Sequence, residues 1–371
     1  MDTLLKPALH IEKKSRRGYH ITFAVIAAML ALSPFIIEGT SLVQFLGKCM
    51  CYAIVGIALD LIWGYTGMLS LGHGLWFCLG GYAMAMFLKL DGTNGKITDF
   101  MQTGGLTELP WFWKPFGSFP LTLILVILIP ALFAGIVGYF VFRSRIKGVY
   151  FSIITQALTW AVYSLFMANS KFTGGNNGIT DIASIFGKTK GSANRTNLLI
   201  IFFITLAVLV LVYLLATFLT GRKFGKLLIA IRDGENRTYF SGYSVNSYKN
   251  FIYAMSAVLA AIAGALFVNF NGSITPTQMT ISYSITMVIW VAVGGRGTII
   301  GAVIGAFFIN LCEYNFSSGI LVEAWQFIIG AIFCLTILLF KGGIVGIVRD
   351  NIPELIRRIK NRKNKTAKEA A

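Results

Sequence analysis

Residues 62–81 read IWGYTGMLSLGHGLWFCLGG, and the fold turns on how this stretch is understood. It is apolar enough for the interior of a membrane, yet it holds Gly64, Gly67, Gly72, Gly74, Gly80 and Gly81, with Ser70 and His73 among them. Each glycine inside a helix costs about 1 kcal/mol relative to alanine. In hydrocarbon an unwound backbone has no water to pair with, so it survives only when buried in protein or lining a wet cavity. Two readings stay open. Glycines at this spacing let helices approach closely, leaving His73 to bond a neighbour. Alternatively the backbone is broken, and Ser70, His73 and freed carbonyls face a transport path.

Working outward, the rest of the chain supplies the membrane. Of 371 residues 56% are hydrophobic and only 13% charged, and mean hydropathy is +0.72. Soluble domains need far more charged surface than this. Apolar runs long enough to cross roughly 30 Å of hydrocarbon recur near 20–37, 41–62, 67–88, 119–141, 148–168, 198–219, 251–270, 279–293, 298–312 and 324–340. The expected fold is an all-α polytopic membrane protein of about ten transmembrane helices, within a range of 8–10. The short runs 279–293 and 298–312 suit a re-entrant pair. The run after the basic N-terminus is too long for a signal-peptide core and reads as a retained first helix.

The net charge of +17 has a bland origin. With both termini cytoplasmic, 24 of the 32 basic residues fall on the inner side, and the whole excess charge lies there. That is the positive-inside pattern, with attraction to anionic membrane lipids, and nucleic acid is not needed to explain it. The resulting layout is a basic N-terminus (1–19), a membrane domain (20–340) and a basic cytoplasmic tail (341–371). Residues 89–118 and 169–197 form outer loops, and 220–250 the one sizeable inner loop.

Enzymatic chemistry finds little purchase. GKT at 187–189 lacks the first glycine of a phosphate-binding loop, since Ile182 stands there. The five cysteines lie in or beside apolar runs and form no metal or disulfide framework. Asp60 is the exception, because a carboxylate in a membrane segment is expensive and needs a partner or a cavity. Its bland alternative is a position near the cytoplasmic end of its helix, in reach of water. A second glycine break, MVIWVAVGGRGTIIGAVIGAFF at 287–308, also follows an Ile-Trp pair, a weak hint of an internal repeat. Arg296 within it reads as a cytoplasmic turn residue. Leu227, Leu228 and Ile231 share one face at helical spacing, and a second short helix starts at Asp233-Gly234-Glu235 and ends at Gly242. So short an amphipathic pair needs a surface to lie on, either membrane or protein.

GYTGMLSLGHG, GVYFSIITQAL, GRKFGKLLIAIRDGENR and IWVAVGGRGTIIGAVIGA together resemble the permease subunits of ATP-driven branched-chain amino acid importers. Within that group DLIWGYTGMLSLGHG, LPWFW and FTGGNNGITD look most like the second permease subunit of the bacterial urea importer. The resemblance covers Tyr52 to Gly346. It implies a multi-pass inner-membrane subunit paired with a second permease, two cytoplasmic ATPases and an external solute-binding protein. ATP and magnesium would be used by the ATPases, with no cofactor bound by this chain. The loop 220–250 would dock in an ATPase groove through Leu227, Leu228, Ile231, Asp233, Glu235, Asn236 and Gly242, although Asn236 and Arg237 stand where small residues are usual. Asp60, Gly67, Ser70, Gly72, His73 and Gly74 are the expected path residues. Gly174, Gly175, Asn176 and Asn177 are the expected contacts with the binding protein. The expected function is urea import, with branched-chain or other amino acids as the alternative. An ATP-independent urea channel and a membrane enzyme are the remaining classes.

Overall fold

The computed structural model describes residues 2–36, 39–93, 95–144, 146, 148–182 and 195–316, with isolated positions between 327 and 346. The expected tenth segment, 324–340, and the basic tail therefore lie largely outside the described residues. Within them the chain forms α1 (Asp2–Ile36), α2 (Thr40–Thr66), α3 (His73–Gly92), α4 (Asp99–Thr103), α5 (Phe119–Arg143) and α6 (Val149–Ala168). There follow α7 (Ser170–Thr173), α8 (Arg195–Gly221), α9 (Lys223–Phe240), α10 (Val245–Asn271), α11 (Ile281–Gly294) and α12 (Ile299–Phe316). Seven of these are long and apolar enough to cross a membrane: α2, α5, α6, α8, α10, α12 and residues 18–36 of α1. The all-α polytopic fold is thus as expected. One boundary is not: the third apolar run becomes helical only at His73, and residues 67–72 are irregular.

α2 is the axis of the bundle. It is buried along most of its length and packs against α8, α10, α11 and α12. α3 is buried along nearly all of its length as well, with α10 along one side and α5 along another. Glycine makes that α3–α10 seam possible. A Cβ on Gly80 would collide with the carbonyl oxygen of Ala261, and one on Gly264 with that of Phe77. The two backbones touch, so dispersion and packing hold the pair where lipid removes any hydrophobic drive. α11 and α12 repeat the device, with Gly294 against the Gly301 carbonyl and Gly305 against that of Trp290. Outward faces of α5 and α8 carry exposed Ile124, Leu132, Phe140, Leu211, Leu214 and Phe218. Such an apolar surface suits a lipid solvent.

Helix directions sort the loops into two faces. α1 and α8 run antiparallel: Phe23 stacks on Tyr213 with ring centroids 3.6 Å apart, while Arg195 donates to the Pro34 carbonyl at 3.2 Å. The start of the first membrane span, the end of α8, α9, the end of α2 and the 295–298 turn consequently share one face. Residues 89–118, 169–182 and 272–275 share the other.

Candidate functional site

The irregular segment 67–72 starts where Gly67, at φ +78°, caps α2 and returns its N–H to the Trp63 carbonyl. Two of its peptide groups are satisfied by α6. Thr155 Oγ1 accepts the Leu71 N–H at 3.1 Å, and Ser152 Oγ donates to the Leu69 carbonyl at 2.6 Å. Ser152, Thr155 and Thr159 are buried and form a hydroxyl stripe on a largely apolar helix. Buried side-chain hydroxyls stand in for the missing helix bonds, as hydrocarbon requires.

α3 therefore begins inside the protein, and its first turn meets a second interruption. After α10 the chain runs back inward through residues 272–280. Ile274 and Ile179 exchange both backbone bonds at 2.9 Å, and Cys78 Sγ lies 3.4 Å from the Thr275 carbonyl. A Cβ on Gly74 would strike the Gln278 carbonyl at 2.5 Å and Ser284 Oγ at 2.9 Å. α11 then begins at Ile281, so the first turns of α3 and α11 face each other. His73 is buried there, with Nε2 and Ser256 Oγ of α10 sharing a hydrogen bond of 2.5 Å. His73 Nδ1 and Ser284 Oγ are buried without a hydrogen-bond partner among the described residues. Gly72 is held against Thr155 and Thr159, and Ser70 is buried, its Oγ accepting the Gly72 N–H at 3.3 Å. The groups meeting at this junction are hydroxyls, an imidazole and peptides.

Asp60 sits one helical turn before Gly64. It is fully buried, and its Oδ1 accepts the Gly297 N–H at 2.7 Å, binding α2 to the turn between α11 and α12. It thus has a protein partner in place of the water reach considered from sequence. Two arginines complete the arrangement. Arg296 Nε donates to the Trp63 carbonyl at 3.1 Å, with its guanidinium 4.9 Å from the Trp63 ring centre. Arg232 Nη1, from α9, donates to the Gly64 carbonyl at 2.8 Å, and its stem covers Gly67. Helix-terminal carbonyls lack partners by construction, and cations beside them are stabilising. Burial and the neighbouring Arg232 push the Arg296 guanidinium below its ordinary value, against the pull of Asp60.

α9 is two helices joined by a kink at Gly234, close to the expected division, and its chain turns at Gly242 with φ +87°. The expected use of its apolar face needs correction. Leu228 and Ile231 are buried and Leu227 half-buried, because α9 packs on α2, α8 and α10 of its own chain. The surface this helix pair required is supplied internally. Glu235 is likewise committed, 2.7 Å from the buried Lys249 ammonium of α10. Asp233 pairs with Arg232 at 2.8 Å, a contact that holds its carboxyl below the usual range. What α9 turns outward is Asp233, Asn236, Arg237, Tyr239 and Phe240, followed by Gly242 and Tyr243. Phe240 is 86% exposed.

On the opposite face the segments around 89–118 and 169–182 are knit together. Lys89 Nζ donates to the Thr180 carbonyl at 3.0 Å and Trp113 Nε1 to that of Phe172 at 3.0 Å. Gly174 and Gly175 have φ of +80° and +57° and shape the turn, Gly175 being buried. Asn176 and Asn177 are exposed.

With the polar contacts at one face and the interior breaks described, comparison with known proteins supplies a family. The family model described as branched-chain amino acid transport system / permease component matches residues 41–337. This chain belongs to that permease family. The permease is similar to the high-affinity branched-chain amino acid transport system permease LivM of Salmonella typhimurium, with 25% identity over 293 residues, 74% of this chain and 63% of the relative. Against LivM of Escherichia coli the identity is 25%, over 76% of this chain and 65% of the relative. The ribose import permease RbsC of Haemophilus influenzae is 23% identical over 80% of this chain and 83% of its own. The chain thus spans a little under two thirds of the length of both LivM relatives. No solved structure matches. Family membership and the seven apolar helices make the permease a multi-pass inner-membrane protein.

Sequence reasoning singled out Asp60 and His73 but missed the groups they bond. Those groups are the Gly297 N–H and the Ser256 hydroxyl, and the contact of Arg232 with the Gly64 carbonyl was missed as well. The stripe Ser152, Thr155 and Thr159 was the one legible signal, at spacings of three and four.

Proposed function

We propose that this permease is the non-catalytic membrane subunit of an ATP-driven importer and forms half of the path for a small polar solute. The observation carrying this reading is the hydrogen bond from Arg232 of α9 to the Gly64 carbonyl, beside the Asp60–Gly297 bond. Through these contacts a displacement of α9 reaches α2 and the α11–α12 turn together, and from there both interrupted segments. ATPase subunits closing on ATP would move the exposed tip of α9 around Tyr239, Phe240 and Tyr243, and the grip would pass that motion inward. Rigid-body rocking of this kind is an established mode of switching. Partners on this reading are a second permease, two ATPases and a solute-binding protein received at the outer loops near Asn176 and Asn177. ATP and magnesium belong to the ATPases. Asp60 and the 67–74 segment serve gating, with His73 and Ser284 offering hydrogen bonds when the junction opens.

Branched-chain amino acids are the substrate reading that the names of the relatives favour over urea. Urea is the second reading. It is favoured by the lack of Asp, Glu, Lys or Arg among the junction contacts described above, and by the motifs of residues 60–74 and 172–181. Uptake of radiolabelled leucine and urea by cells lacking and regaining this chain separates them. Loss of leucine uptake alone supports the first and excludes the second. Energised uptake of both solutes unchanged by the deletion rejects both substrate readings.

A further inference from the structure

We propose that the cleft between α3, α5 and α6 binds one acyl chain of an anionic phospholipid, with Lys114 and Lys171 receiving its phosphate. α5 and α6 are consecutive and joined by only residues 144–148, yet each packs on α3 and they barely touch one another. The gap is a cavity of about 370 Å³, within the size range of built ligand sites. Its walls include Pro130 of α5, Leu165 and Phe166 of α6, and Phe116 and Phe172 from the two outer loops. Walls this apolar do not hold water, and an empty volume forfeits the contacts that a filled one gains. A hydrocarbon chain entering from the bilayer is the filler the surroundings provide.

Two further observations specify a whole phospholipid. Tyr82, on the α3 wall, is almost fully buried, and its hydroxyl has no hydrogen-bond partner among the described residues. A glycerolipid ester carbonyl is an acceptor that bare hydrocarbon lacks. Two lysines are also chain neighbours of lining residues. Lys114 follows Trp113, a lining residue, and is exposed. Lys171 is exposed as well, with its ammonium 5.1 Å from the ring centre of Phe172. The Trp113–Phe172 hydrogen bond holds these two loop segments side by side, and the exposed Trp111 next to them suits the headgroup level. Lysines near a membrane surface attract anionic headgroups. The inference is independent of what the permease transports.

The test uses the full chain in vesicles carrying acyl-brominated phosphatidylglycerol or acyl-brominated phosphatidylcholine at equal mole fraction, read by quenching of tryptophan fluorescence. The expected result is stronger quenching by the anionic lipid, with the excess largely lost in Trp113→Phe. In Lys114→Gln/Lys171→Gln, which alters only exposed side chains, the excess should fall at least threefold. Equal quenching by the two lipids overturns the proposal, pointing to a neutral lipid or a protein helix as occupant. An anionic excess that persists in the double lysine variant also overturns it.

Discussion

At the scale of single residues the permease concentrates its polar contacts where two chain breaks touch. Arg232 reaches a backbone carbonyl with one guanidinium nitrogen while others engage Asp233. A lysine ammonium is a point charge without that fork, so Arg232→Lys is not conservative here. Arg232→Ala should reduce solute uptake at least tenfold while ATPase subunits still copurify, and Arg232→Lys should restore uptake only partly. Uptake unchanged in Arg232→Ala would remove the grip from the mechanism. Thr155 tests the far end of the 67–72 segment. Thr155→Val leaves the Leu71 N–H without its acceptor, a loss of about 1–3 kcal/mol for a buried donor, whereas Thr155→Ser keeps it. Melting in detergent should therefore fall for valine and stay near wild type for serine. Gly264 has no tolerance either. Even alanine there drives Cβ into the Phe77 carbonyl, and overpacking of this kind costs about 1–3 kcal/mol.

At the scale of elements, α9 separates stability from coupling by its two faces. Leu228 is fully buried against the chain's own helices, and truncating such a leucine to alanine costs about 2–5 kcal/mol. Leu228→Ala should lower the melting temperature of the isolated permease. Phe240, almost fully exposed, should leave that temperature unchanged when replaced by alanine and instead weaken recovery of the ATPase subunits with the permease. If both variants behave alike, the division of labour between the faces is wrong. The kink at Gly234 was legible, because Asp-Gly-Glu after an amphipathic turn marks a helix restart. Which face was covered was not legible. The spacing of Leu227, Leu228 and Ile231 announces an apolar side but carries no information on whether membrane, partner or self lies against it.

For the whole molecule, the two faces defined by helix direction predict accessibility in cells. Single cysteines introduced at Asn176 or Trp111 should react with an impermeant thiol reagent from outside, and those at Tyr239 or Gly242 only after the membrane is opened. Labelling of position 239 from outside intact cells would invert the topology and with it the proposed function.

Length and apolar runs were enough to define a polytopic helical protein, because a bilayer imposes those requirements on any chain locally, and the one-sided excess of basic residues supplies the orientation that the labelling experiment checks. The glycines of 62–81 stayed ambiguous in sequence, and the tertiary structure divided them. Gly67 caps a helix, Gly72 and Gly74 sit in or beside an unwound entry, and Gly80 lets α10 approach. The partners of Asp60 and His73 lie 237 and 183 residues away, at Gly297 and Ser256. Only packing brings such groups together, since a hydrogen bond depends on positions in space that no local pattern encodes.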